Sequence, residues 1–316
     1  MIQRAMLFPG QGAQYPGMGK SFCEAFPEAD ALFMRANEVL GFDLKSICFN
    51  GPEEQVNRTD ICQPGILTTS LAILEVLKTR HGLDPKLFHA TAGLSLGEYT
   101  ALVFADVLDF EDAVSLVAKR GRYMQDDSAK APSGMMTLIG ATKEAAEEIC
   151  RRASSAGIIV AANFLGPNQI AVSGALEALD RAETMLKDLN VKRGIRLKVS
   201  GAFHSPFMHD GGEKLKMELE RAAFRPPVIP FASNVSGNFV EDSEEIREHL
   251  GRQVTSPVYW NDTMNRFIDR GISIFYEPGP GKVLSGILKK VDRSLITLTL
   301  DDPEEIESFI EGWKES

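Results

Sequence analysis

Residues 87–99 read Leu87-Phe88-His89-Ala90-Thr91-Ala92-Gly93-Leu94-Ser95-Leu96-Gly97-Glu98-Tyr99, an apolar run that ends in glycine and passes directly into a helical pattern. Strand, turn and helix without a linker are the unit from which α/β sheets are built. Within this stretch Gly93-Leu94-Ser95-Leu96-Gly97 fits G-x-S-x-G. Glycines on both sides allow a sharp, strained turn that projects the hydroxyl, and the helix start favours developing negative charge. The plainer alternative is a glycine-bracketed turn with an ordinary serine.

The same rhythm extends outward. Ala5-Met6-Leu7-Phe8-Pro9-Gly10 predicts a first strand, and Leu71, Leu74 and Leu77 share one face of a helix over 68–78 that stops near Gly82. Helices are expected over 96–104 and 112–124. The middle of the chain changes: strand 135–140, helix 143–156, strands 158–163 and 169–173, helix 176–188, strand 194–199. That β-α-β-β-α-β order is ferredoxin-like. The fold class is therefore α/β: a large, α/β-hydrolase-like domain with a parallel sheet (1–129 and 200–316), plus an inserted small ferredoxin-like domain (130–199).

A chain of 316 residues buries a large core without staples. Cys23, Cys48, Cys62 and Cys150 are scattered, with neither C-x-x-C nor histidine pairing, which argues against zinc or a disulfide framework and fits reduced thiols in a cytoplasm. The start has only a short apolar run before Pro9, so no signal peptide is expected, and no later apolar stretch is read as long enough to span a bilayer. A net charge of -10 disfavours nucleic acid and anionic membranes as partners. It also means that an anionic ligand must be held by local cations.

A serine nucleophile needs a base, and there are five histidines. His81 and His89 precede Ser95 beside a turn and a strand, and His249 lies in the charged helical run Glu244-Glu245-Ile246-Arg247-Glu248-His249-Leu250. His204 and His209 remain, in the loop Ser200-Gly201-Ala202-Phe203-His204-Ser205-Pro206-Phe207-Met208-His209, where the chain re-enters the large domain and where clefts form. Taken alone, such a histidine is more often structural than catalytic.

Together these residues resemble the malonyl-coenzyme A:acyl carrier protein transacylase family. The matching segments are Phe8-Pro9-Gly10-Gln11-Gly12-Ala13-Gln14, Gln63-Pro64, Gly93 to Tyr99, Arg120-Gly121, Met124-Gln125, Gly201 to Pro206, Asn234-Val235-Ser236, Arg252-Gln253 with Pro257-Val258, and Glu277-Pro278-Gly279-Pro280-Gly281. They follow family order across nearly the whole chain. The resemblance implies malonyl transfer from malonyl-CoA to the phosphopantetheine thiol of an acyl carrier protein, for fatty acid or polyketide synthesis. The coenzyme A thioester is then a substrate, no cofactor is required, and a monomer is expected.

The resemblance also implies roles. Ser95 attacks, His204 takes its proton, and a carbonyl at Gln253, backbone or side-chain amide, fixes the imidazole tautomer. The N–H groups of Gln11 and Leu96 form the oxyanion hole. Arg120 holds the malonate carboxylate with its planar fork, although the basic run Lys119-Arg120-Gly121-Arg122 by itself reads as solvated surface. Gln63, Met124, Asn163 and Phe203 complete the substrate pocket, the Phe203 ring crowding an α-methyl branch. One position departs from the family, Leu94, where a histidine usually precedes the serine.

Gly10-Gln11-Gly12 lacks the third glycine of a dinucleotide fingerprint, since Tyr15 stands there, and Gly281-Lys282 does not close a phosphate loop because Val283 follows. Two other functions stay open on the residues alone: a serine hydrolase, and a silent subunit that only docks carrier protein. Candidate cations for docking an acidic carrier are Lys192, Arg193, Arg196, Lys198, Lys289 and Lys290.

Overall fold

The computed structural model describes residues 3–314. Two sheets form. The first contains β1 (Gln3–Phe8), β2 (Ala90–Gly93), β7 (Phe231–Ser233), β8 (Asn238–Val240), β9 (Ile272–Pro278) and β10 (Ile296–Leu300), in the order β10-β9-β1-β2-β7-β8. All neighbouring pairs but β7–β8 are parallel. β1 lies at the centre and is buried from Arg4 onward, as a parallel strand covered on both faces must be. Its alternation divides the core. Met6 and Phe8 enter the larger apolar cluster, while Ala5 and Leu7 enter a second one on the opposite face with Trp260 and Phe267.

The second sheet contains β3 (Ser133–Ile139), β4 (Ile159–Gly166), β5 (Gln169–Ala175) and β6 (Arg193–Arg196), ordered β4-β5-β3-β6 and antiparallel throughout. Helices Lys143–Ala153 and Leu176–Thr184 supply apolar residues to a third cluster with it. The second sheet meets the segment before the helix Trp260–Asp269, where Asn163 bridges Val258 and the Phe164 ring stacks on Tyr259 at 5.3 Å.

Two sequence expectations change. The helix expected over 68–78 begins at Thr59 and runs to His81, with Pro64 inside it. An interior proline costs about 3 kcal/mol, but every residue from Ile61 to Leu74 is buried, so packing offsets the break. This helix is also long and apolar enough to cross a membrane by length and composition, which corrects the reading that no stretch reaches that size. Its apolar window is 89% buried inside the protein, so here it serves as a core helix.

Candidate active site

The turn after β2 is built by close approach. A Cβ on Gly93 would lie 1.9 Å from the Gly97 carbonyl carbon, and one on Gly97 would lie 2.2 Å from the Phe8 oxygen. Only hydrogen fits at either position. The end of β1 therefore abuts the turn, with the Leu94 N–H donating to Phe8 O at 3.0 Å. It also brings Gly10, the residue before Gln11, against the turn: a Cβ there would lie 2.3 Å from the Leu94 oxygen.

Ser95 itself holds φ +52°, a left-handed conformation that costs a non-glycine residue about 1–3 kcal/mol. Asn234 holds it there from two sides. Its Oδ1 accepts the Ser95 N–H at 2.6 Å, and its Nδ2 donates to Gly93 O at 2.7 Å.

The loop carrying His204 arrives from the small sheet and places the imidazole Nε2 2.8 Å from Ser95 Oγ. Its Nδ1 lies 2.9 Å from the backbone oxygen of Gln253. Of the two Gln253 carbonyls that the sequence left open, it is the backbone one that fills this role. The side chain is engaged elsewhere: Oε1 accepts from Arg120 Nη2 at 2.9 Å, and Nε2 donates to Ser95 O at 2.9 Å and to Glu98. A carbonyl acceptor fixes Nδ1 as the protonated nitrogen and leaves Nε2 free to accept. Burial, and secondarily the Arg120 charge, lowers the His204 imidazole to about 4. It is thus neutral near pH 7 and can take the serine proton.

Arg120 lies within the helix Phe110–Ser128 and is 1% exposed, not the surface residue its basic neighbours suggest. Its Nη1 donates to Gln63 Oε1 at 2.6 Å, and its Nη2 to Ser95 Oγ at 2.9 Å as well as to Gln253. All three acceptors are neutral, and Nε is buried without a partner. Burial correspondingly lowers the guanidinium affinity for its proton. Gln63 in turn donates to Met124 Sδ at 3.4 Å.

Not every expected residue joins this group. Asn163 sits in β4 where that strand bridges Val258, with its Oδ1 buried and unpartnered and with no bond to Ser95 or Arg120. Phe203 is buried in the larger core cluster, which also holds Met124, and Ser173 Oγ donates to its backbone oxygen at 2.6 Å. Leu94 is buried in the second core cluster. Among the described residues no His, Cys, Asp and Glu group has the makings of a metal site, and all four cysteines are free and buried.

Two residues with structural leverage carried no assigned role in the sequence reading. Asn234 is one. Glu98 is the other: fully buried, it accepts the Asn234 N–H at 3.0 Å and the Gln253 Nε2–H. Burial pushes its carboxyl up to about 7, against those donors, the Ser233 hydroxyl and the Arg120 charge. Both stand inside segments that carried the family resemblance, Gly93 to Tyr99 and Asn234 to Ser236. Only the geometry shows what they touch.

A strained serine, a neutral imidazole within hydrogen-bond reach of it and a buried guanidinium at the same oxygen are the arrangement of an acyl-transfer enzyme of the serine type. Residues 5–301 match the family described as acyl transferase domain. The malonyl CoA-acyl carrier protein transacylase of Bacillus subtilis (strain 168) is 42% identical over 316 residues, covering 100% of this chain and 98% of that protein. The crystal structure of malonyl CoA-acyl carrier protein transacylase from Clostridium perfringens superimposes with a TM-score of 0.93 at 39% identity, covering 99% and 98% of the two chains. A malonyl-transacylase in complex with a type II PKS acyl-carrier protein gives 0.93 at 35% identity, covering 98% and 99%. The chain belongs to the malonyl CoA-acyl carrier protein transacylase family.

Proposed function

We propose that this enzyme moves a malonyl group from malonyl-CoA to the phosphopantetheine thiol of an acyl carrier protein through malonyl-Ser95. The observation that carries the reading is Arg120: buried, with only neutral acceptors, an unpartnered Nε and Nη2 at 2.9 Å from the nucleophile. A buried cation in that state gains from an anion. An acyl group on Oγ with a carboxylate three bonds away supplies one within its reach.

In the acylation step Ser95 Oγ bonds to the thioester carbonyl carbon as its proton passes to His204 Nε2. The oxyanion faces the N–H groups of Gln11 and Leu96, a kind of donor worth about 3 kcal/mol each. Collapse breaks the carbon–sulfur bond, and the coenzyme A thiolate leaves with the His204 proton. The carrier thiol then gives its proton to His204 and attacks the ester, and Ser95 leaves reprotonated. The thioester is already activated, so the sequence calls for no cofactor. The Gln253 backbone carbonyl stabilises the transient imidazolium.

Two finer readings accompany this. The parallel sheet with a serine turn at the end of β2 supports an α/β-hydrolase-like large domain (1–129 and 200–316), and the order β4-β5-β3-β6 supports a ferredoxin-like insert (130–199). For the carrier, Lys192 and Lys290 line one cavity of about 330 Å³ beside the β4–β5 turn, which favours them as docking cations. Arg196 is tied to Asp180 and Glu183 and is dropped from that set.

Intact mass after incubation with malonyl-CoA tests the function. A single malonyl adduct is expected, mapped to Ser95, discharged by carrier protein and absent from Ser95→Ala. No adduct, or discharge to water alone, overturns it.

A further inference from the structure

Gln253 is the hub of the site. Its backbone oxygen orients His204, its Oε1 faces Arg120, and its Nε2 faces two acceptors, Ser95 O and Glu98. A primary amide has an oxygen end and a nitrogen end of nearly equal size, so its direction is set by its surroundings. Arg120 is donor-only and asks for the oxygen. An ionised Glu98 is acceptor-only and asks for the nitrogen. Glu98 cannot turn to suit the amide, because the Asn234 N–H holds its other oxygen at 3.0 Å.

We propose that Glu98 is a positioning residue for recognition of the acyl carboxylate: by accepting from Gln253 Nε2 it fixes the direction of that amide and keeps an oxygen on Arg120. The inference rests on the malonyl-transfer reading. Glu98 is buried behind Gln253 and acts on the acyl group through Gln253 and Arg120. With Glu98 in place, the guanidinium is held with its remaining donors aimed at the acyl group on Ser95. If the amide turns, its NH2 opposes the Arg120 donors and the guanidinium is displaced. An ordinary structural acid at this position would instead support the Ser95 turn through Asn234, and its loss would slow every donor alike.

The discriminating variant is Glu98→Gln, nearly equal in size: with its oxygen held by the Asn234 N–H it turns its own NH2 toward the Gln253 NH2, which leaves Ser95 O as the remaining acceptor at that end and weakens the hold on the direction. The readout is the ratio of kcat/KM for malonyl-CoA to that for acetyl-CoA. Both donors share Ser95, His204 and coenzyme A, so the ratio isolates the carboxylate. A fall in the ratio of about tenfold or more is expected, with acetyl transfer within about threefold of wild type. Parallel losses in both donors overturn the proposal.

Wild-type enzyme gives a second arm should the variant fail to fold. A proton on Glu98 makes it a donor, so the same ratio should fall on lowering the pH through about 7. The charged and titratable groups around it are Tyr99, Arg120, His204 and, through Ser233, His249. His204 titrates at about 4 and cancels in the ratio, and burial holds His249 below its ordinary range. A flat ratio between pH 5.5 and 8.5, or a step that survives in Glu98→Gln, overturns the proposal. The two readings fail separately: no malonyl adduct in wild type removes the transfer function, while an adduct with an unchanged ratio removes only the role of Glu98.

Discussion

Ser95 and His204, whose side chains meet at 2.8 Å, both hold left-handed backbones, at φ +52° and +56°. Two strained residues facing each other mean that the surrounding structure over-determines the contact. For Ser95 the restraint is Asn234. For His204 it is the Gln253 carbonyl, together with the Ser205 hydroxyl, which donates to Ala202 O at 2.5 Å and accepts from Phe207 N at 3.2 Å.

Removing the Asn234 restraint should relax the turn. Asn234→Ala is expected to cost about 1–3 kcal/mol of stability and to lower kcat for malonyl and acetyl donors equally. Denaturant midpoints and steady-state kinetics check this. A selective loss of malonyl transfer would show that Asn234 acts on Arg120 instead.

His204→Ala should slow acylation by about 100- to 10,000-fold, whereas His209→Ala should stay close to wild type. His209 is exposed at the start of the helix His209–Leu219. Rapid-quench measurement of the malonyl adduct separates the two. Equal losses would mean that the loop matters only as a whole.

Arg120→Ala should lower kcat/KM for malonyl-CoA by about 100-fold or more, with acetyl transfer unchanged or improved. Arg120→Lys should recover part of the loss, since a point charge cannot reproduce a planar fork. Parallel losses for both donors would assign Arg120 to the fold. The same variants carry a pH signature. Because the Arg120 charge helps to depress His204, the acid limb of kcat/KM, near pH 4 in wild type, should move upward for acetyl-CoA in Arg120→Ala.

Stability should vary with pH through two opposed groups. His204 has a folded value of about 4, below its unfolded value, so the unfolded chain binds that proton first and stability falls from about pH 6.5 down to 4. Glu98 has a folded value of about 7, above its unfolded value, so its contribution is lost as pH rises from about 4.5 to 7. The two slopes oppose each other over most of that range. Glu98→Gln removes one of them, so its melting temperature should climb more steeply with pH between 4 and 6.5 than that of wild type. Identical slopes would place the Glu98 titration elsewhere.

What the sequence made legible was local. The glycines around Ser95, the strand at β1 and the alternating order of residues 133–196 each carry their signal within a short window. Pro64 hid the start of the core helix because the burial that offsets it comes from other segments, such as Met18 and Cys48 packed against Gly65. Gln253 was placed at the site by resemblance, but its two ends could not be assigned. Which oxygen meets His204 depends on how a helix end is turned, and that is set by Arg120 and Glu98 from other elements. Arg120 shows the same limit: the other basic residues of its run, Lys119 and Arg122, are half-exposed and exposed, and only its helical phase buries it.

The second sheet, β3 to β6, separates the two halves of the proposed chemistry along the chain. Ser95 lies before it and His204 after it, 109 residues apart. During synthesis Ser95 therefore emerges long before His204, and the two can meet only once the intervening chain has returned. Closing so long a loop is entropically slow to reward. An incomplete or nicked chain that lacks the later segment has the serine without a proton acceptor, so it cannot load malonyl and spill it to water. Catalytic competence here reports that the whole polypeptide has been assembled.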